Sequence, residues 1–261
     1  MNWKDTFKKN LLNYLLSVLS IVALILVWSW FSKRNNAFLP TPGQVGSKFI
    51  TSFYKPIGSV TMVGHTLASL KRVFGGLLCA ALAGIPFGTL IGWNRLARAV
   101  LQPLFELIRP IPPLAWVPLL TVWFGIGETP KIMLVFLATL VPIVVNTYSG
   151  VNLAQKDNIA VGKVFGARGT RLLFDIVMPS ALPSIMAGLK VSLTLAFAVV
   201  LAAEMISAKS GLGMLIMRGS EGGDIALTMV AMLIIGIIGA LTSALFTIIE
   251  RKLSPWRTDL H

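Results

Sequence analysis

Few side chains in this sequence are placed to do covalent chemistry. Its 261 residues include two histidines, His65 and His261, and one cysteine, Cys79. No Ser-His-Asp or Cys-His arrangement can be drawn among them, so no catalytic residue is assigned. With no cysteine near either histidine no metal site is expected, and a lone cysteine makes no internal disulfide. His65 reads as a loop or helix-end residue. The pattern G-x-x-x-x-G-K-[ST], whose backbone cradles phosphates, is missing, so the chain is not expected to bind ATP or any other cofactor itself. What remains is charge beside apolar sequence. Glu106 and Arg109 are three apart and can pair on one helical face, structurally or as part of a path or gate. Glu204, in AAEMISAKSGLGM, is either interfacial and solvated or a gate element facing a pore.

The elements that must hold these groups are membrane helices. The chain is 55% hydrophobic and 13% charged, unlike a soluble domain of this size. Its net charge of +13 is spread through short loops and makes no basic block, which argues against nucleic acid and for an anionic lipid surface. About 20 apolar residues cross the hydrocarbon core, and this predicts six spans, at 11–31, 73–93, 101–124, 131–149, 185–206 and 225–249. The expected class is therefore all-α, a polytopic membrane helix bundle. Residues 1–10 form a cytoplasmic N-terminus, and 11–31 an uncleaved first span rather than a signal peptide. Residues 32–72 form an external loop with an interfacial helix near Val45–Phe53, 73–249 the core, and 250–261 a cytoplasmic C-terminus.

Three segments carry information beyond hydropathy. In the second span Gly76, Ala80, Gly84, Gly88 and Gly92 recur every four residues, a small-residue face that lets another helix approach closely. Pro86 should kink that helix. In ELIRPIPPLAWVPLLTVWFGIGETPK, Pro103, Pro110, Pro112, Pro113 and Pro118 cannot share one straight helix. Broken helix at membrane depth suits a cavity lining, so Glu106, Arg109, Pro112 and Pro113 are assigned to a translocation path or gate, with Glu204. The third segment is Gln155–Pro183, polar between apolar runs, which looks like a docking site for another protein. Ile159, Val161, Val164 and Phe165 can share an apolar face. Gly166 and Gly169 favour a break before helix resumes at Leu172, giving a helix, a turn and a helix.

The spacing of Gly166, Ile176, Met178 and Pro179 resembles the cytoplasmic coupling motif of ABC importer permeases, EAA, three residues, Gly, nine residues, I-x-L-P. The acidic triplet is here Ala160, Val161 and Gly162. With RPIPPLAWVPLLTVWFGIGETPKI, AAEMISAKSGLGM and ERKLSPW, residues 38 to 256 look like the permease subunits of taurine, aliphatic sulfonate and nitrate importers. The resemblance implies a type I (MetI-like) permease in the bacterial inner membrane, with both termini cytoplasmic. It implies a homodimer, two cytoplasmic ABC ATPase subunits carrying ATP and Mg, and a periplasmic or lipid-anchored substrate-binding protein. Coupling contacts would fall on Gly162, Lys163, Val164, Phe165, Gly166, Ala167 and Arg168. The implied cargo is a small organic anion, taurine or another sulfonate first, with nitrate, bicarbonate or a pyrimidine precursor behind. An ion-coupled secondary transporter would instead show inverted repeats, and no convincing internal repeat is found.

Overall fold

The computed structural model describes residues 3–34, 39–154 and 156–253. Met1, Asn2, residues 35–38, Gln155 and residues 254–261, and with them part of the expected external loop and most of the expected C-terminal segment, lie outside the described residues. No named strand occurs among the described residues, only an isolated bridge between Ile57 and Val60. The chain forms two compact units, Met1–Met62 with Leu215–Met232, and Val63–Met214 with Leu233–His261.

The first unit contains α1 (Trp3–Arg34) and α2 (Pro42–Tyr54). From Leu15 to Arg34, α1 is long and apolar enough to cross a membrane. Leu16, Leu19, Leu24 and Leu26 are all exposed, so its apolar surface is of the kind that lipid covers. The end of α1 is fastened to the following turn: Trp28 Nε1 donates to the Pro40 carbonyl (3.0 Å) and Ser32 Oγ to that of Leu39 (2.7 Å). A capping box starts α2, with the Gln44 N–H donating to Thr41 Oγ1, the Thr41 N–H to Gln44 Oε1, and Pro42 in the first turn, where its missing N–H costs nothing. The interfacial stretch is thus a helix, with Val45 buried and Lys48 paired with Asp224.

The second unit is built on α3 (Met62–Trp93), α6 (Glu128–Asn152) and α9 (Met178–Ser207). α3 begins at Met62 rather than at residue 73, so residues 62–72 are helix and not loop, and the helix is continuous through Pro86. The small-residue stripe meets α6. A Cβ on Gly76 would strike Val135, one on Gly84 Ile143, one on Gly88 Thr147, and one on Gly92 Val151. The two sets of numbers rise together, so α3 and α6 run parallel at backbone-to-side-chain contact. α9 runs the other way along α6: Gly150 faces Ala181 and Ser184, and Gly188 faces Pro142 and Asn146. Val73, Leu77, Ala80, Val135, Ile143, Leu193, Ala196 and Val200 fill the space among the three helices. In α11 (Ile225–Leu253) Glu250 pairs with Lys190 of α9.

Because α3 and α6 are parallel, the chain between Trp93 and Glu128 must return the full length of the unit. It does so through α4 (Arg95–Ile108), a 3-10 turn (Pro113–Trp116) and α5 (Val117–Phe124), the two arms meeting at 85°. The contacts at its ends fix the crossing. Arg98 donates to the Ile91 carbonyl and to Asn152 Oδ1 at the far ends of α3 and α6, whereas Leu120 packs with Leu134 and Ala203 near the start of α6 and the end of α9. Segment 101–124 is thus a broken span, interrupted where Pro110, Pro112 and Pro113 withhold N–H donors. Among the described residues, five long apolar helices and this bent pair give up to six spans by length and composition.

Candidate functional site: a loop and a charge cluster at opposite ends of one helix

After α6 come α7 (Lys156–Val164), α8 (Thr170–Leu172) and a π turn (Leu173–Val177) that leads into α9. The turn after α7 follows from its glycines. Ala167 N–H donates to the Gly162 carbonyl (2.9 Å) and Gly166 N–H to that of Lys163 (3.0 Å), the paired bonds of a Schellman motif with Gly166 at φ +82. Gly169, at φ +55, starts α8. Pro179 has no N–H for the carbonyl four residues back and its ring presses on it; the wider π turn just before it relieves that crowding.

Gly162 is the packing point of this hairpin. A Cβ there would collide with Ile176 Cδ1 and lie 3.2 Å from Leu172 Cδ1. Ile159 packs on the cluster of Val151, Ala154, Val177, Ala181 and Ile185, at the joined ends of α6 and α9. The other face is bare: Val161, Val164 and Phe165 are 55%, 85% and 86% exposed, and Lys163, Gly166 and Arg168 are exposed beside them. Ala167 is half-buried. The seven residues Gly162–Arg168 therefore sit together as one knob, apolar at the tip and basic at the sides.

At the opposite end of α9 lies a cluster that sequence reading placed elsewhere. Arg72, assigned to an external loop, is on α3 and 1% exposed. All its donors are used. Nε and Nη2 fork onto the Glu128 carboxylate (2.6 and 2.8 Å), Nη1 reaches Glu204 Oε1 (2.6 Å) and the Ser210 carbonyl (2.7 Å), and Nη2 also faces Ser210 Oγ (3.4 Å). Glu204 is itself buried and accepts from Ser69 Oγ (2.8 Å) and the Gly213 N–H (2.9 Å). Ser69 Oγ accepts from the Leu212 N–H (2.9 Å), and His65 Nδ1, also buried within α3, from the Gly211 N–H (3.1 Å). Lys131 closes the charge balance, 3.5 Å from Glu128.

These contacts bear on three expectations. Of the two readings of Glu204, the solvated one does not hold. His65 lies in the first turn of α3, at a helix end as expected, and is a buried acceptor there. Glu106 accepts from Gln102 Nε2 (2.7 Å) and makes no ion pair with Arg109; both residues are exposed on the broken span, as is Pro112, with Pro113 half-buried. The overlooked signal was helical spacing. His65, Ser69, Arg72 and Gly76 fall on one face at steps of three and four, so the small-residue stripe continues backwards through a serine, an arginine and a histidine.

Among the described residues, five helices, or up to six spans with the bent pair, are long and apolar enough to cross a membrane, which is the architecture of a multi-pass membrane protein. Residues 84–259 match the family of binding-protein-dependent transport system inner membrane components, and the chain belongs to that family, the permeases of ABC importers. It is 36% identical over 253 residues to the taurine transport system permease protein TauC of Escherichia coli (strain K12), covering 94% of this chain and 91% of that one. It is 29% identical over 239 residues to the putative aliphatic sulfonates transport permease protein SsuC of Bacillus subtilis (strain 168), covering 92% and 85%. An inward-facing structure of the MetNI methionine ABC transporter shares the fold, with a TM-score of 0.64 at 19% identity over 74% of this chain and 95% of that one.

Proposed function

We propose that this permease imports a small organic anion, taurine or another aliphatic sulfonate first, driven by ATP hydrolysis on separate ATPase subunits that carry ATP and Mg. The observation that carries the substrate class is the similarity to a taurine permease along nearly the whole chain. Two permease copies, two cytoplasmic ATPases and a substrate-binding protein make the working complex. The knob Gly162–Arg168 seats in the ATPase, Phe165 and Val164 filling an apolar groove while Lys163 and Arg168 meet its polar rim. Val161, Val164 and Phe165, exposed together, form an apolar patch of the kind that supports an interaction site. Arg95, Arg98, Lys163, Arg168 and Arg171 gather at the knob end of the second unit, which supports a cytoplasmic location for that end by the positive-inside rule. The exposed broken span, with Glu106, Arg109, Pro112 and Pro113, lines the path where two copies meet. The same frame accommodates nitrate, bicarbonate or a pyrimidine precursor, because the binding protein selects the cargo.

Proteoliposomes holding permease and ATPase, supplied with the cognate binding protein, test this directly. ATP-dependent uptake of labelled taurine or an alkanesulfonate is expected. Uptake without ATP, driven by an ion gradient, would sink the importer assignment, and uptake of only a neutral or cationic solute would sink the anion assignment.

A further inference from the structure

Three helices tie the knob to the charge cluster. α9 is 30 residues long, about 45 Å at 1.5 Å per residue, with the π turn and the knob at one end and Glu204 at the other. Its flanks give no slack. Gly150 and Gly188 hold α6 against α9, and Gly76 and Gly88 hold α3 against α6, each with a neighbour where a methyl group would stand. A close-packed group of this kind moves as one piece.

The reversal after α9 is joined to that body differently. Ser210 to Gly213 is held by four polar contacts, the Ser210 carbonyl on Arg72, the Gly211 N–H on His65, the Leu212 N–H on Ser69 and the Gly213 N–H on Glu204, added to the packing of Gly213 on the Leu201 backbone. Gly211, at φ +130, lies so close to the Glu204 carboxylate that a Cβ would overlap it. Among the described residues, Arg72 alone binds both Glu204 and the reversal while also gripping Glu128 at the start of α6. Glu128 is 55% exposed, so the cluster opens to the surface there, beside exposed Lys209.

From this geometry we infer that Arg72 is the positioning residue through which the end of the permease remote from the ATPase signals to it. This rests on the importer reading above. Arg72 and Glu204 fix the reversal to the rigid body, so a binding protein docking over Glu128 and Lys209 displaces the reversal, the body and the knob together. Without the pair the reversal keeps its bonds to His65 and Ser69 and the packing of Gly213 on Leu201 but loses its link to Glu128 and the start of α6, and the ATPase senses delivery less.

The test uses the reconstituted complex of permease, ATPase and binding protein and reads one ratio, ATP hydrolysis with loaded binding protein over hydrolysis without it. The double variant Arg72→Met/Glu204→Leu replaces buried charge with apolar groups of similar size, a change that buried ion pairs often tolerate. Its basal hydrolysis is expected to persist while the ratio falls by about tenfold, within the usual range of coupling between sites. Glu204→Gln, which keeps the shape, is expected to lower the ratio partway. A wild-type ratio in Arg72→Met/Glu204→Leu or in Glu204→Gln overturns the inference and leaves the importer reading intact. A wild-type complex that no binding protein stimulates overturns both.

Discussion

Gly162 lies against the Cδ1 atom of Ile176 with no room for a methyl group between them. With Ile159 on the cluster at the ends of α6 and α9, this contact seats α7 on the turn that opens α9 and makes the knob an extension of a membrane helix rather than a loose loop. Gly162→Ala should weaken that seating by about 1–3 kcal/mol, the usual cost of overpacking. Ile176→Val removes the colliding atom. A double-mutant cycle on coupled uptake should show Gly162→Ala impaired alone and substantially restored with Ile176→Val; strictly additive losses would contradict the packing described.

Gly166 acts through its backbone. A Cβ there would meet nothing within 4 Å, yet φ is +82, a region that costs most side chains about 1–2 kcal/mol and that asparagine tolerates best. Gly166→Asn should therefore retain most ATP-coupled uptake, and Gly166→Val should lose it while the protein still reaches the membrane. Equal uptake by the two variants would show that the left-handed turn is unimportant.

The stripe on α3 gives a stability prediction with its own control. A Cβ on Gly88 would stand 2.7 Å from Thr147 Cβ and 2.8 Å from the Val144 carbonyl, whereas one on Gly75 finds its nearest neighbour at 3.7 Å. Thermal unfolding in detergent should show Gly88→Ala destabilised by about 1–3 kcal/mol and Gly75→Ala close to wild type. Matching losses at both positions would remove the assigned register of α3 on α6.

Glu106 and Arg109 offer a simple check of the broken span. Since Glu106 binds Gln102 and both charges are exposed, Glu106→Gln and Arg109→Gln should change stability additively, within about 0.5 kcal/mol. A large interaction energy between them would restore the ion pair expected from their spacing.

What could be read in advance follows from which interactions are local. Hydropathy located the long helices, the prolines from Pro103 to Pro118 announced a broken span, and Gly166 with Gly169 marked the turn of the knob, because each acts through its own backbone. The start of α3 was misplaced because Lys71 and Arg72 look like loop residues to any hydropathy window. Arg72 belongs inside only because Glu128 and Glu204, distant in sequence, neutralise it there, a tertiary effect invisible along the chain. The pairing of Glu106 failed for the opposite reason: spacing permits several partners, and Gln102 on the same helix was as near.

The most direct measurement is a crosslink. In a background with Cys79→Ser, which removes the only cysteine, Phe165→Cys and Ile126→Cys place single thiols at two exposed sites of the second unit, 86% and 82% accessible. One lies on the knob, the other beside the start of α6. With permease and ATPase assembled in membranes, a short thiol-to-amine reagent should join position 165 to the ATPase and leave position 126 unjoined. A crosslink from 126 with none from 165 would contradict the assignment of Gly162–Arg168 as the surface that meets the ATPase.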